Sequence, residues 1–355
     1  SGVGEILSVI PIIYELEKNK KIKKILLSSS TTSSGLIFSK YKFKKTTHIY
    51  FPIDTNYLTN KFINYWKPKI AIFIDSEIWP NMFNNLKKNN IPIILINGRI
   101  TKKSFKRWIR FPSFAMKIFR KISLALPQNT ETLKFLKILG VKKIKFLGNL
   151  KYYGQSKKFL DENTKQKFKK RLIFCAASTH YNEELFIGKL HNELKSKFKN
   201  LLTIIIPRHV NRSVSIINEL KGINLNTVTR SSRQKISKDT DIYIVDTYGE
   251  ASKFYELSKI TFVGGSLIKH GGQNPLEPAR LGNYILHGPN IQNFKEVYKM
   301  LSKLNISSKA NNINNMKKII NKKIRHKLPT KIIKKLNFIG NDILKKNLSE
   351  INKFL

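Results

Sequence analysis

The sequence predicts an α/β protein of two domains, each carrying a parallel sheet. Three observations lead there. Short β-rich runs alternate with longer helical stretches along the whole chain. Several runs, such as "IPIILI", are apolar without alternation, as strands covered on both faces should be. Clusters of Gly, Ser, Asp, Glu, Arg and His fall just after strands, where open parallel sheets bind ligands.

In the first half the strand candidates are Lys24–Ser28, His48–Phe51, Ile70–Asp75, Ile93–Asn97, Leu124–Leu126 and Ile144–Leu147. In the second they are Leu172–Cys175, Leu202–Ile206, Ile242–Asp246, Ile260–Val263 and Tyr284–Leu286. Between Tyr152 and Lys170 the pattern lapses into polar, lysine-rich "YYGQSKKFLDENTKQKFKK", which marks the boundary. The expected domains are therefore residues 1–150 and 151–330, with 331–355 as a closing helix. Loops at the opposite strand ends, such as "KNKKIKK", are plain solvated turns, so chemistry gathers on one rim of each domain. That arrangement suggests two sheets facing a central cleft.

A length of 355 residues suits two ordinary domains, and a 41% apolar fraction suits real cores. A lone cysteine, Cys175, excludes a disulfide framework and a Cys-rich metal site, and within "RLIFCAAS" it reads as an inert core thiol. The net charge is +45, from 67 Lys+Arg against 22 Asp+Glu. Such a chain is drawn to polyanions: nucleic acid, acidic headgroups or phosphorylated substrates. Only 11 of the cations are arginine, and they are spread evenly, so nucleic acid is not the expected partner. No apolar run approaches the roughly 18 residues of a spanning helix. The chain opens on Ser1 within a loop-like stretch, and a preceding segment with any membrane anchor is expected upstream.

The chemistry-bearing residues follow the rims. In "SGVGEILS", Ser1, Gly2 and Gly4 lead into a helix whose first turn holds Glu5. This carboxylate is either a helix-start group favoured by the dipole or a base approached closely across the glycines. Pro11 implies that the helix starts late or kinks. "DSEIWPN" sets Asp75 and Glu77 directly after a strand, as an acid/base pair or with one capping the next helix. "NGR" adds Arg99. "AASTH" brings Ser178 and Thr179, and "DTYGE" brings Gly249 and Glu250; both segments precede helices whose amides would hold phosphate. In "PRH", Arg208 offers a phosphate-binding fork, and His209 is either a ligand contact or a hydrogen-bonded structural residue. His180, His270 and His287 look scattered, so no metal site is expected.

The longest cluster is "FVGGSLIKHGGQNPLEPA". Gly264, Gly265 and Ser266, then Gly271 and Gly272, allow close backbone approach. Gln273 and Asn274 lead to a helix whose first turn holds Glu277, placed to accept both hydroxyls of a ribose. The residues fit a nucleotide-sugar pocket. Neither a Walker A loop nor a Rossmann glycine fingerprint occurs.

"SGVGE", "DSEIWPN", "GNLKY", "AASTH", "PRH", "DTYGE", "FVGGSL" and "GGQNPLEPA" occur in the order found in the Kdo transferases of lipopolysaccharide synthesis, which this chain resembles over essentially its whole length. The resemblance implies a GT-B fold of two Rossmann-like domains, with the last helix returning to the first. It implies transfer of 3-deoxy-D-manno-oct-2-ulosonic acid from CMP-Kdo to an anionic lipid A precursor at the cytoplasmic face of the bacterial inner membrane. Glu5 would be the general base and Glu77 a supporting carboxylate. Ser1, Gly2, Gly4 and Arg99 would border the acceptor. Arg208 would hold phosphate and Glu277 ribose, alongside the other second-half residues named above. CMP-Kdo would be a co-substrate, with no metal or other cofactor. Two alternatives stay open: another GT-B enzyme using a UDP-sugar, and a non-catalytic polyanion binder. The chain departs from the pattern at Gln273, where the family usually has His, and at Ser1-Gly2, where it has Ala-Ser.

Overall fold

The computed structural model describes residues 3–153 and 160–355, with side chains from residue 6 in the first helix. They fall into two compact units, Ser1–Gln155 with Phe338–Leu355, and Ser156–Asn337. Both are α/β, and every strand pairing in them is parallel.

In the first unit β1 (Ile25–Ser29) pairs with β2 (Thr46–Tyr50), and β3 (Ala71–Ile74), β4 (Ile93–Gly98) and β5 (Leu124–Pro127) form a second sheet in that order. The continuous apolar run of β4 has a direct cause. Ile93 and Leu95 enter a core with Phe73, Phe83 and Phe119. Ile94 and Ile96 point the other way, into a core with Val9, Leu126, Ile343 and Leu344. A strand covered on both faces cannot alternate with polar residues. The second of these cores joins the first helix, Val3–Lys18, to the last, Thr330–Asn352.

The second unit carries one seven-stranded sheet: β6 (Leu172–Thr179), β7 (Leu201–Pro207), β8 (Thr227–Thr229), β9 (Ile242–Ile244), β10 (Ile260–Val263), β11 (Tyr284–His287) and β12 (Ser307–Lys309). Their order is β12-β11-β10-β6-β7-β9-β8. The chain winds outward from β6 through β7, then returns at β10 to the other side of β6. That reversal is the topological switch point, where adjacent loops part and leave a crevice.

Three local expectations are corrected. Ile144–Leu147 forms no strand, only a single parallel bridge between Ala125 and Ile144. Two short edge strands, β8 and β12, were not foreseen, because "TVT" and "SSK" carry no apolar run. The first helix runs through Pro11 and is already formed at Val3, so it does not start late.

Candidate functional site

At the carboxyl ends of β3 and β4 the first unit knits three loops together. Asp75 follows β3 in the left-handed region, at φ 57°, and is 2% exposed. Its carbonyl accepts the Arg99 amide at 2.9 Å. Its carboxylate takes the Ser76 hydroxyl at 3.3 Å and the Lys151 ammonium at 3.4 Å. Asn97, also left-handed at φ 49°, accepts the Leu150 amide at 3.0 Å. Asn149 donates to Gln128 Oε1 at 3.2 Å and accepts the Lys151 amide at 2.8 Å. Thus "DSEIWPN", "NGR" and "GNLKY", which lie up to 76 residues apart, share one rim. The Asp75–Lys151 pair was not anticipated, although Lys151 stands within a motif singled out above.

Glu77 is half-buried and takes the Trp79 indole N–H on Oε2 at 2.6 Å. Neither rim carboxylate caps the following helix, Pro80–Lys88. Asp54 does so from 27 residues upstream, accepting the amides of Asn81 and Met82 at 3.1 and 2.8 Å. Gly4 and Glu5 lie in the first helix, with the Glu5 side chain outside the described atoms, as are Ser1 and Gly2 entirely.

The second unit's rim is richer. Gly264 is required by packing: a Cβ there would stand 2.4 Å from the Ser178 carbonyl oxygen, so β10 and β6 meet only through bare backbone. Beyond it the chain turns at Gly265, φ 65°, and again at Gly271 and Gly272, φ 98° and 77°. The two glycine pairs are stitched by Gly272 N–H to Gly265 O at 2.7 Å.

The amides after Gly264 are already taken. Glu183, 1% exposed, accepts Gly265 N–H at 2.7 Å, Ser266 and Leu267 N–H at 3.0 Å each, and its neighbour His180 N–H at 3.0 Å. Burial pushes the Glu183 carboxyl up in pKa and these donors oppose it. The amides of Gly265 and Ser266 are therefore not open to a phosphate; they hold a protein carboxylate that shapes the loop. No local spacing signals this contact, which spans 82 to 84 residues.

Glu250 is also engaged. Its carboxylate accepts the Thr247 hydroxyl at 2.5 Å and Lys253 at 2.7 Å, with Arg230 at 3.3 Å. Desolvation would raise its pKa, yet these three partners hold it down at about 2. It lines a cavity of about 430 Å³ with Lys167, Arg230, Arg233 and Tyr243. Gly249 beside it turns at φ 75°. The helix it opens, Ala251–Tyr255, is one turn, so it offers little dipole. Ser178 and Thr179 end β6 instead of opening a helix; the next one begins at Glu183.

Arg208 is exposed just after β7, its amide donating to the Thr179 carbonyl at 2.9 Å. Arg212 forks onto the buried Glu184 at 2.9 and 3.4 Å and stacks over Tyr181. Asn274 caps the Leu276 amide at 3.1 Å. Glu277, in the short helix Leu276–Arg280, is open to solvent yet sufficiently ringed by protein that desolvation raises its pKa, against the opposing charge of Arg280.

The histidines are not scattered. His180 follows β6, His209 follows β7 and His270 lies after β10, on three adjacent strands. Ring centroids stand 4.2 Å apart for His180–His270 and 5.9 Å for His180–His209. Gln273 Nε2 sits 3.2 Å from His180 Nε2. Among the described residues no His, Cys, Asp and Glu group has the geometry of a metal site. His287 does stay apart, over Tyr298. Cys175 is buried in the sheet and its thiol is pushed up to about 12 by burial, which makes it inert.

Residues 1–153 match the family model described as "3-Deoxy-D-manno-octulosonic-acid transferase (kdotransferase)". The 3-deoxy-D-manno-octulosonic acid transferase of Rickettsia prowazekii is 32% identical over the whole of this chain and 79% of its own length. The chain belongs to the Kdo transferase family. Its Haemophilus influenzae relative of the same name is 30% identical over 85% of this chain and 72% of its own length. Like those transferases it is a glycosyltransferase. The fold class is GT-B, and UDP-GlcNAc 2-epimerase from Neisseria meningitidis is a solved structure of similar fold. It superposes with a TM-score of 0.60 over 99% of this chain and 96% of its own, at 13% identity, a likeness of fold alone. No described helix of this Kdo transferase is long and apolar enough to cross a membrane.

Proposed function

We propose that this Kdo transferase moves Kdo from CMP-Kdo to an anionic lipid A precursor with inversion at the anomeric carbon. The observation that carries the reading is that Arg208 and His209 after β7, and His270 and Gln273 after β10, meet around His180 at the switch point of the second sheet, in a chain of this family. In this reading Glu5 takes the proton from the acceptor hydroxyl as its oxygen attacks, and the bond to the CMP phosphate oxygen breaks. The monophosphate leaves with its charge met by Arg208, whose guanidinium stays charged at any working pH. Glu277, accessible and partly desolvated, accepts the ribose hydroxyls. Asp75 and Lys151 hold the rim on which Glu77 and Arg99 stand.

No metal is assigned a role, because the leaving group is a monophosphate that a single guanidinium and nearby imidazoles suffice to meet. The excess of 45 positive charges suits an anionic acceptor on an anionic surface, the cytoplasmic face of a bacterial inner membrane. The test is transfer from CMP-Kdo to tetra-acylated lipid A precursor in detergent, with and without EDTA, comparing the parent with Glu5→Gln. Product from the parent in both buffers and a loss of several orders of magnitude in the variant support the reading. Full activity in Glu5→Gln removes the base assignment, and a preference for a UDP-sugar removes the donor.

A further inference from the structure

The crevice at the β10-β6-β7 strand ends holds an unusual charge inventory. His180 is buried beneath the exposed rings of His209 and His270. Every element packed against it contributes a group: Gln273 and His270 from the loops after β10, Arg208 and His209 from the end of β7, and Arg212 from the turn that follows. Two carboxylates stand near. Glu183 is occupied by four backbone N–H groups, His180's own among them, and Glu184 is paired with Arg212. Arg208 makes no salt bridge among the described residues. The crevice thus presents one unbalanced guanidinium and three imidazoles.

Two rings 4.2 Å apart cannot both be cationic without an anion between them. In the free protein His180 stays neutral: desolvation, then the neighbouring His270, His209, Arg208 and Arg212, push it down to about 4. An arriving dianion inverts that balance. Gln273 suits either state, since its amide N–H donates to a neutral ring and its carbonyl accepts from a protonated one.

We propose that His180, His209 and His270 together form the anion-receiving floor of the nucleotide-sugar site and take up a proton from solvent as the phosphate of the nucleotide binds. The inference rests on the donor reading above and adds to it two residues, His180 and His270, that no motif assigned. The proton passes from buffer to an imidazole nitrogen, and no other bond changes. Proton uptake makes affinity rise as pH falls, by up to about tenfold per pH unit where one full proton is taken up.

The probe is CMP, titrated calorimetrically into the full chain at pH 7.5 in two buffers of different ionisation enthalpy. Cytidine, which lacks the phosphate, serves as control. Parent protein should take up a substantial fraction of a proton with CMP and none with cytidine. His270→Asn and His209→Asn, both at exposed positions where folding is not at stake, should each bind CMP with at least half of that uptake lost; His180→Asn extends the series. Because a phosphate monoester titrates near pH 6, uptake that persists unchanged in the histidine variants belongs to the ligand and overturns the proposal. So does CMP binding without uptake in the parent, which leaves the donor reading standing. Absence of CMP binding overturns both.

Discussion

Removing the Glu183 side chain should dismantle the glycine loop. Four backbone N–H groups, those of His180, Gly265, Ser266 and Leu267, converge on its carboxylate at 2.7 to 3.0 Å. Glu183→Ala deprives all four at once. A buried donor left unpaired costs about 1–3 kcal/mol, so the simple sum lies between about 4 and 12. Water entering the vacated space would satisfy some of them, and the lower end is the realistic one, about 4 kcal/mol. Glu183→Gln is milder, because its single carbonyl oxygen still serves up to two donors, while its NH2 faces the others as a mismatched donor; about 2–3 kcal/mol is expected.

The assay is urea denaturation followed by tryptophan-independent circular dichroism, with hydrogen exchange to localise the effect. Since the chain has two units, the midpoint of the transition that involves Ser156–Asn337 is the quantity to compare. Exchange should accelerate first at Gly265 to Leu267. A midpoint in Glu183→Ala that implies a loss below about 1 kcal/mol, with unchanged protection at those amides, would refute the claim that this carboxylate organises the loop.

Gly264→Ala should cost about 2 kcal/mol or more, since its Cβ would meet the Ser178 carbonyl oxygen at 2.4 Å and the strands must part; thermal melting checks it. Asp75→Asn should be tolerated far better than Asp75→Val, because the site needs φ 57° as well as a partner for Lys151; relative melting temperatures and a double-mutant cycle with Lys151→Met separate the two requirements. The Glu250 pKa is depressed from 4.5 to about 2, so the unfolded chain binds the extra proton between those values. Its stabilisation is whole above about pH 4.5 and is lost as pH falls toward 2; Glu250→Gln should flatten that part of a stability–pH curve. His180, lowered from 6.5 to about 4, acts in the same direction over a higher window, and His180→Asn should remove acid sensitivity between pH 6.5 and 4.

What was legible in the sequence was what is encoded locally. β4 reads as a buried strand because Ile93 to Ile96 must fill two cores at once, and that demand leaves an uninterrupted apolar run. β8 and β12 sit at sheet edges, where burial asks less, and their polar residues carried no signal. The placing of chemistry after strands was also readable, since ends of parallel strands are where a sheet leaves room. The partners of those residues were not. Asp54 caps a helix 27 residues on, Glu183 holds a loop more than 80 residues on, and Glu184 pairs with Arg212 across 28.

The histidines show why the gap lies where it does. In sequence His180, His209 and His270 are separated by 29 and 61 positions, and nothing about those intervals suggests a cluster. They become neighbours only because β10 returns to the far side of β6, setting three strand ends side by side. Strand order is decided by which crossovers pack best, a property of the whole sheet with no local signature. Once the order is known, the residues just past the ends of β6 and β7 are neighbours across one crevice, as His180 and His209 are. With strand order fixed, His180 and His209 stand at adjacent strand ends, and the crevice is marked by its imidazoles and guanidinium as much as by its glycines.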